Sequence, residues 1–115
     1  MLRGEIRLVD LDPVRAGEAN KRRPAVLVSN DGANITAAKL GRGVVTVIPI
    51  TTKVDRVYPF QVLIPAHQSG LERDSKAQAE QVRSVSVERV TERIGTVPPE
   101  VMLEVDEALR LHLAI

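Results

Sequence analysis

Residues 44–50, Val-Val-Thr-Val-Ile-Pro-Ile, form the most β-branched stretch of this 115-residue chain. Valine, isoleucine and threonine are enriched in strands because their branched side chains pack well on a pleated surface. The stretch therefore predicts a core strand. Shorter apolar runs lie on both sides of it, and turn-forming residues separate them. This spacing is typical of a mostly β domain with closely spaced strands.

Two apolar runs precede the central stretch. Ile6 and Leu8 alternate with polar residues, which predicts a first strand over residues 4–11. Residues 25–28 are continuously apolar, so they predict a buried strand that Pro24 opens, with the basic residues before it in a loop. Residues 33–40 end at a glycine and fit either one helical turn or a loop.

The runs that follow the central stretch are also short. Residues 60–64 and 77–85 predict further strands, and residues 68–70 predict the turn between them. Residues 87–90 fit a short helical turn, and residues 94–97 fit one more short strand. The chain therefore continues as β structure for most of its length.

The last element is predicted to be a helix. Pro98 and Pro99 begin it, since a missing N–H costs nothing in a first helical turn. Apolar side chains then recur at helical spacing, namely Met102, Val105, Leu109 and Leu113. The fold class is therefore mostly β (α+β), most simply a small antiparallel β-barrel with short helices and an amphipathic C-terminal helix. No linker divides residues 1–115, so we expect one domain.

Composition excludes several classes of site. The chain has no cysteine, which excludes disulfides, thiolate zinc sites and cysteine nucleophiles. Its two histidines, His67 and His112, lie 45 positions apart, so we expect no metal and no cofactor. With no Trp, one Tyr and one Phe, binding of single strands by a platform of stacked aromatics is not expected. No signal sequence or long apolar run appears, which predicts a cytoplasmic protein without a membrane partner.

Charge is unevenly distributed although the net charge is +1. Residues 1–60 carry 10 basic and 6 acidic side chains, whereas residues 61–115 carry 6 and 9. The basic excess is concentrated in four positions, namely Arg15, Lys21, Arg22 and Arg23. This pattern permits a polyanion site on one face of a nearly neutral protein.

Two positions carry candidate chemistry. Arg23 precedes Pro24, which restricts it to an extended backbone, and a guanidinium suits a forked grip on phosphate. The alternative is a solvated basic turn. Thr51 follows the central strand, where its hydroxyl either serves strand and turn structure or orients a ribose or phosphate oxygen. Glu80 and Arg83 are predicted to face opposite sides of one strand.

Taken in order, ten segments closely resemble the MazF/PemK family of toxin endoribonucleases from type II toxin–antitoxin modules. They are residues 3–6 (Arg-Gly-Glu-Ile), 10–13 (Asp-Leu-Asp-Pro), 17–18 (Gly-Glu), 23–31 (Arg-Pro-Ala-Val-Leu-Val-Ser-Asn-Asp), 47–52 (Val-Ile-Pro-Ile-Thr-Thr), 58–62 (Tyr-Pro-Phe-Gln-Val), 70–75 (Gly-Leu-Glu-Arg-Asp-Ser), 80–84 (Glu-Gln-Val-Arg-Ser), 93–95 (Arg-Ile-Gly) and 105–109 (Val-Asp-Glu-Ala-Leu). Two positions depart from the family pattern: Arg7 replaces a common aromatic residue, and Lys76 replaces a frequently apolar one.

The resemblance implies a sequence-specific, metal-independent endoribonuclease that cuts single-stranded RNA and so inhibits translation and growth. The expected substrate is mRNA, with rRNA and tRNA left open as further substrates. It implies Arg23 and Thr51 as catalytic residues, with Glu18 as the acidic residue of the first loop. RNA-binding positions are expected from the resemblance or from charge, namely Arg15, Lys21, Arg22, Lys53, Arg56, Ser75, Glu80 and Gln81. The implied partners are the RNA substrate, a second copy in a homodimer and an acidic-tailed, MazE-like antitoxin.

The chemistry supports this interpretation because RNA carries its own nucleophile, the 2′-OH. An enzyme has to align that oxygen with phosphorus and stabilise the extra negative charge on the phosphoryl oxygens. Arg23 suits the second task, and either Glu18 or Arg23 is the base. The implied products are a 2′,3′-cyclic phosphate and a 5′-hydroxyl. Two alternatives stay open: a CcdB-type gyrase poison, although the chain has no Trp, and a catalytically silent RNA-binding module.

Overall fold

The computed structural model describes residues 1–11 and 22–115. In these residues seven strands form, namely β1 (Glu5–Asp10), β2 (Arg22–Leu27), β3 (Val44–Thr51), β4 (Gln61–Ile64), β5 (Ser75–Gln78), β6 (Arg83–Ser86) and β7 (Val90–Thr96). The helices are α1 (Asp31–Leu40), α2 (Ala66–Ser69) and α3 (Pro99–Leu113). Two short 3₁₀ turns, Ala79–Gln81 and Val87–Arg89, complete the element order. No helix in the described part of the chain is long and apolar enough to cross a lipid bilayer.

The strands form one antiparallel sheet in the order β4-β5-β3-β2-β1-β7, and β6 also pairs with β3. The α+β class is confirmed. The predicted closed barrel is wrong, because β4 and β7 end the path and do not pair with each other within residues 1–11 and 22–115. Instead, α3 packs against β4. Three buried residues of α3, namely Val101, Val105 and Ala108, belong to the core cluster on one face of the sheet.

The central strand β3 is buried on both of its faces. Ile48 and Ile50 belong to a core cluster that α3 completes with Val105, among others. Val45 and Val47 belong to a second cluster on the opposite face of the sheet, which includes Ala37 of α1 and Val85 of β6. Successive strand residues point to opposite faces, so a continuous apolar run suits a strand covered on both sides. The predicted core strand is confirmed.

Residues 31–40 form a full helix. The sequence by itself is compatible with either one helical turn or a loop over residues 33–40. The side chain of Asn30 accepts a hydrogen bond from the backbone N–H of Ala33 at 2.8 Å, which caps the first turn. Gly41 ends the helix with a φ of 67°, a left-handed conformation that glycine adopts without strain. The helix covers one face of β3 through its buried residue Ala37.

Two predicted boundaries are wrong. The strand expected over residues 77–85 is interrupted by the turn Ala79–Gln81, because β5 and β6 pair with different parts of β3. Glu80 therefore does not lie on a strand opposite Arg83. Strand β2 begins at Arg22, so Arg22 and Arg23 lie in the strand and not in a loop, whereas Lys21 lies outside the described residues.

Candidate active site

The register between β2 and β3 brings Arg23 and Thr51 together. Ala25 pairs with Pro49, and Val26 pairs with Ile48. Extending this antiparallel register by two residues places Arg23 opposite Thr51. Since side chains alternate along a strand, both residues project on the same face of the sheet. Two positions that are distant in the sequence are therefore neighbours at one end of the paired strands.

A cavity of about 200 Å³ lies at this end of the strands. Its lining residues are Arg23, Pro24, Ile50, Thr51, Thr52 and Ser75. Arg23 is exposed, Thr51 is half-buried and Ser75 is buried. The cavity therefore offers a cationic side chain and hydroxyl groups above an apolar base, which suits an anionic oxygen at its mouth. We call this cavity, with these residues, the Arg23–Thr51 pocket.

Two hydroxyl groups of the Arg23–Thr51 pocket, those of Thr51 and Ser75, already have partners. Thr51 Oγ1 accepts a hydrogen bond from the backbone N–H of Lys53 at 3.3 Å, so the Thr51 O–H remains to donate. Ser75 Oγ donates to the carbonyl oxygen of Arg73 at 3.0 Å. These bonds fix each oxygen relative to the backbone. Thr51 is therefore placed as a donor toward the pocket, whereas the hydroxyl proton of Ser75 is engaged in its own turn.

A second cavity of about 510 Å³ adjoins the first and shares Pro24, Thr52 and Ser75 with it. Its remaining lining combines apolar and charged side chains, namely Leu8, Leu71, Ile94, Glu72 and Arg73, with Gly70. The two cavities form a continuous concave surface along one side of the sheet. A chain molecule longer than a single phosphate group therefore has room to extend from the pocket.

The other predicted site residues are distributed around the pocket. Arg22 projects on the opposite face of β2 from Arg23, and its strand partner is Asp10. Lys53 and Arg56 are exposed in the segment between β3 and β4. Asp10 carries a buried oxygen, Oδ1, that has no hydrogen-bond partner among the described residues.

Glu80 and Gln81 do not line the Arg23–Thr51 pocket. Glu80 Oε2 accepts a hydrogen bond from Gln61 Nε2 at 2.7 Å, and Oε1 is buried with no hydrogen-bond partner in the described part of the chain. Gln81 is exposed on the same 3₁₀ turn. The geometry gives Glu80 a supporting contact with β4, which is one of the two roles that the resemblance allowed.

Three predicted residues, Arg15, Glu18 and Lys21, lie outside the described residues. The described chain ends at Leu11 on one side of that segment, and its carbonyl oxygen accepts a hydrogen bond from Arg83 Nη1 at 2.9 Å. Sequence reasoning gave Arg83 no such role. Because Val47 of β3 pairs with Arg83, this bond ties the end of β1 to the central strand.

Sequence reasoning also missed the role of Lys76, which was noticed only as a departure from the family pattern. Lys76 pairs with Thr51 in the ladder between β3 and β5. Its Nζ donates to the carbonyl oxygen of Arg56 at 2.6 Å, and Arg56 Nη1 donates to Tyr58 Oη at 3.2 Å. Lys76, which lies beside Thr51 in the sheet, therefore anchors the segment that follows β3.

Arg7, the other departure, forms an ion pair with Glu5. Glu5 Oε1 lies 2.9 Å from Arg7 Nε and 2.8 Å from Arg7 Nη2. Burial by itself raises the pKa of the Glu5 carboxyl, but the hydrogen bond from Arg7, the backbone of Leu2 and nearby positive charge together lower it. The resulting pKa lies below the ordinary value for glutamate.

No group of three His, Asp or Glu side chains that could hold a metal ion occurs in residues 1–11 and 22–115. The fold and the site thus define a small α+β protein with a pocket suited to an anionic oxygen. A family model described as PemK-like, MazF-like toxin of type II toxin–antitoxin system matches residues 2–113. The chain belongs to this toxin family.

Individual relatives agree with this assignment. The chain is 58% identical over 113 residues to the endoribonuclease MazF9 of Mycobacterium tuberculosis, covering 98% of this chain and 96% of that protein. A structure described as an endoribonuclease in complex with its cognate antitoxin from Mycobacterial species matches with a TM-score of 0.77 at 23% identity, covering 100% and 96% of the two chains. MazE–MazF of Deinococcus radiodurans matches with a TM-score of 0.74 at 25% identity, covering 100% and 96%.

Proposed function

We propose that this toxin is an endoribonuclease that cuts single-stranded RNA at the Arg23–Thr51 pocket without a metal ion. The observation that carries the proposal is the placement of Arg23 opposite Thr51 in one cavity at the end of β2 and β3. A phosphate needs a cationic fork, and the sugar beside it needs a hydroxyl or similar group for orientation. Relatives named as endoribonucleases support the choice of RNA as substrate.

The proposed reaction uses the ribose 2′-OH as nucleophile. This oxygen attacks the adjacent phosphorus while a base takes the proton of the 2′-OH. The bond to the 5′-oxygen of the next nucleotide breaks, and the departing oxygen takes up a proton from solvent. Arg23 stabilises the negative charge that accumulates on the phosphoryl oxygens, and Thr51 donates a hydrogen bond that orients the reacting phosphate or ribose. The products are a 2′,3′-cyclic phosphate and a 5′-hydroxyl.

The base in this proposal is either Glu18 or Arg23. A guanidinium keeps its proton at neutral pH because its pKa is above about 12, which makes Arg23 a poor base. Glu18 is a carboxylate and accepts a proton more readily, but it lies outside the described residues. A Glu18→Gln variant separates the two alternatives, since it removes the base only if Glu18 holds that role.

RNA binding in the proposal depends on positive side chains around the pocket. Arg22, Lys53 and Arg56 are exposed and close to the strand ends that form it. We assign them to phosphate contacts that position the strand, together with Arg15 and Lys21. Ser75 lines the pocket itself, whereas Glu80 supports the structure through Gln61. Phosphate contacts position an RNA strand, and contacts to bases select its sequence.

The proposed partners are a second copy of the chain and an antitoxin with an acidic tail. Helix α3 exposes Leu103 and Leu111 beside an open groove of about 540 Å³, and a symmetric contact between two copies would cover this apolar surface. MazF of Deinococcus radiodurans forms a complex with MazE. An acidic tail complements the basic residues near Arg23 and would block the pocket. We place the protein in the cytoplasm with its RNA substrate, where cutting mRNA inhibits translation and growth.

The test uses the purified wild-type protein with EDTA and a long single-stranded RNA. We expect discrete cuts, which sequencing of the 5′ ends of the fragments maps to a common sequence. The fragments should carry 5′-hydroxyl and 2′,3′-cyclic phosphate ends. A matched RNA whose 2′-OH at a mapped cut is replaced by hydrogen should bind and stay intact. Cutting of that matched RNA would refute the 2′-OH mechanism, and loss of all cutting in EDTA would refute metal independence.

A further inference from the structure

The one tyrosine and the one phenylalanine of the chain lie together in the segment between β3 and β4. The ring centroids of Tyr58 and Phe60 are 5.3 Å apart, and their planes differ by 2°. Tyr58 is 41% exposed, whereas Phe60 is half-buried. Phe60 stacks in parallel beside the Tyr58 ring, and part of Tyr58 stays open to solvent. A further flat group would have to contact the ring at this exposed part.

Hydrogen bonds hold Tyr58 in a fixed position. The backbone N–H of Tyr58 donates to Gln61 Oε1 at 3.2 Å, and the backbone N–H of Gln61 donates to the Tyr58 carbonyl at 2.8 Å. Gln61 is buried, and its Nε2 donates to Glu80 at 2.7 Å. The aromatic segment is thus tied to β4 and to the 3₁₀ turn of Glu80. A ring fixed in this way loses little conformational entropy when it binds a partner.

Positive charge surrounds the ring. The guanidinium carbon of Arg56 lies 5.5 Å from the Tyr58 ring centroid, and Lys76 Nζ lies 5.8 Å from it. Arg56 Nη1 also donates to Tyr58 Oη, so the guanidinium lies at the hydroxyl end of the ring. Lys76 is only 8% exposed and is fixed by its bond to the Arg56 carbonyl. A phosphate backbone is attracted to such a surface, and its bases then come close to the ring.

The ring is also connected to the Arg23–Thr51 pocket. Lys76 and Thr51 are paired residues of neighbouring strands, so their side chains project on the same face of the sheet. Lys76 extends from that position to Tyr58. The side chain of Lys76 therefore connects the Tyr58 ring to the strand residue that pairs with Thr51. An RNA strand with its scissile phosphate in the pocket would pass a flanking base close to Tyr58.

We propose that Tyr58 is a binding site for a nucleobase of the RNA, which stacks on the ring beside the scissile phosphate. The inference rests on the proposed function, and it adds an aromatic contact to the basic and polar contacts assigned above. Stacking of one base on an aromatic side chain corresponds to about a 5- to 150-fold change in affinity. Since every base has a flat π-face, the contact fixes the position of the strand more than its sequence.

The chain provides its own probe, because Tyr58 is its one tyrosine and it has no tryptophan. Intrinsic tyrosine emission therefore reports on Tyr58 alone. We would titrate the wild-type protein with a single-stranded RNA that contains a mapped cut site with its 2′-OH replaced by hydrogen. Stacking of a base on Tyr58 quenches the emission at saturation. In a series of RNAs with one abasic position each, one RNA should still bind and leave the emission unquenched.

Binding of the same RNAs to two variants completes the test. Tyr58→Phe keeps the ring and should retain the wild-type affinity, whereas Tyr58→Leu should bind about 5- to 150-fold more weakly. With the abasic RNA identified above, Tyr58→Leu should bind as well as the wild type. Circular dichroism of each variant checks that it is folded.

The outcomes separate this inference from the proposed function. If the wild type binds and cuts RNA while Tyr58 emission stays unquenched by every RNA that binds, the stacking site is refuted and the nuclease stands. Equal affinity of Tyr58→Leu and the wild type for the intact RNA leads to the same conclusion. If the wild type neither binds nor cuts any single-stranded RNA, both proposals are overturned.

Discussion

Replacing Arg7 by Met removes the partner of a buried carboxylate. Glu5 is 7% exposed, and its Oε1 accepts a hydrogen bond from Arg7 Nε at 2.9 Å and lies 2.8 Å from Arg7 Nη2 in an ion pair. Leaving a buried acceptor without its partner costs about 1–3 kcal/mol, and a charged group costs more. The variant also loses the bond from Arg7 Nη1 to the Thr91 carbonyl at 2.9 Å. We therefore expect Arg7→Met to lower the free energy of unfolding by about 2–4 kcal/mol at pH 7.

The loss of stability in Arg7→Met should depend on pH, and the shift in the pKa of Glu5 determines the direction of that dependence. In the wild type the pKa of Glu5 is lowered in the folded state, since contacts led by the Arg7 hydrogen bond outweigh the effect of burial. Its contribution to stability is therefore present above the unfolded pKa of about 4.3 and is lost as pH falls through the folded pKa. Arg7→Met removes the hydrogen bond and the positive charge of Arg7, both of which lower this pKa, so the pKa of Glu5 is higher in the variant than in the wild type. The difference between the two proteins should thus be largest near pH 7 and should shrink below the unfolded pKa.

The matched control is Arg93→Met, which removes one positive charge from the same surroundings. Arg93 Nη1 lies 4.0 Å from Glu5 Oε2, and its side chain is 59% exposed. An exposed pair of this kind contributes little, so we expect a change of less than about 1 kcal/mol. The assay is urea denaturation at several pH values, at one fixed protomer concentration because a dimer gains stability with concentration. Equal effects of the two variants, or an Arg7→Met effect that is independent of pH, would refute the reasoning.

Three further predictions follow from the pocket and its surroundings. Thr51→Val, which replaces the hydroxyl by a methyl group, should lower the rate of RNA cutting about a hundredfold, whereas Thr52→Val should have a smaller effect because Thr52 also lines the pocket but lies exposed beyond the end of β3. If three or four basic side chains contact phosphates, log affinity for single-stranded RNA should fall against log salt with a slope of about −2 to −3, and duplex RNA should be cut far more slowly. Light scattering at micromolar concentration should report a dimer, since Leu103 and Leu111 of α3 are exposed in the single chain.

Each of these predictions would be contradicted by a specific result. Full activity of Thr51→Val in single-turnover cutting would remove Thr51 from the proposed mechanism. Affinity that does not change with salt would contradict binding through phosphates, and equal cutting of single and double strands would contradict access to unpaired bases. A monomer mass in light scattering would contradict the proposed symmetric contact through α3.

The position of the core strand could be predicted from its sequence because both faces of β3 are buried. Val45 and Val47 serve one core cluster and Ile48 and Ile50 serve the other, so every second position is apolar on each face. Closure of the sheet could not be predicted in this way. It depends on whether the two end strands meet, and strand patterns carry no information about pairing between distant edges. For this reason the strand pattern was predicted correctly, whereas the closed barrel was not.

The site was predictable where single residues carry distinct chemistry. An arginine held extended by Pro24 and a threonine at a strand end were recognisable as candidates, and the structure places Arg23 and Thr51 in one pocket. The supporting contacts were not predictable, because they depend on register and on the interruption between β5 and β6. Lys76 meets Thr51 only through strand pairing, and Glu80 meets Gln61 only because the chain turns at that point.

The measurement that tests the central claim most directly compares Arg23→Ala with Arg22→Ala in single-turnover cutting of one RNA at saturating protein. The two variants lose the same charge at adjacent positions on opposite faces of β2, and Arg23 alone of the two lines the pocket. Loss of one side chain that stabilises the transition state lowers the rate by about 100- to 1,000-fold, so we expect this decrease for Arg23→Ala with folding unchanged. Arg22→Ala should weaken binding and leave the rate at saturation close to that of the wild type. Equal rates for the two variants would contradict the assignment of the pocket as the site of cutting.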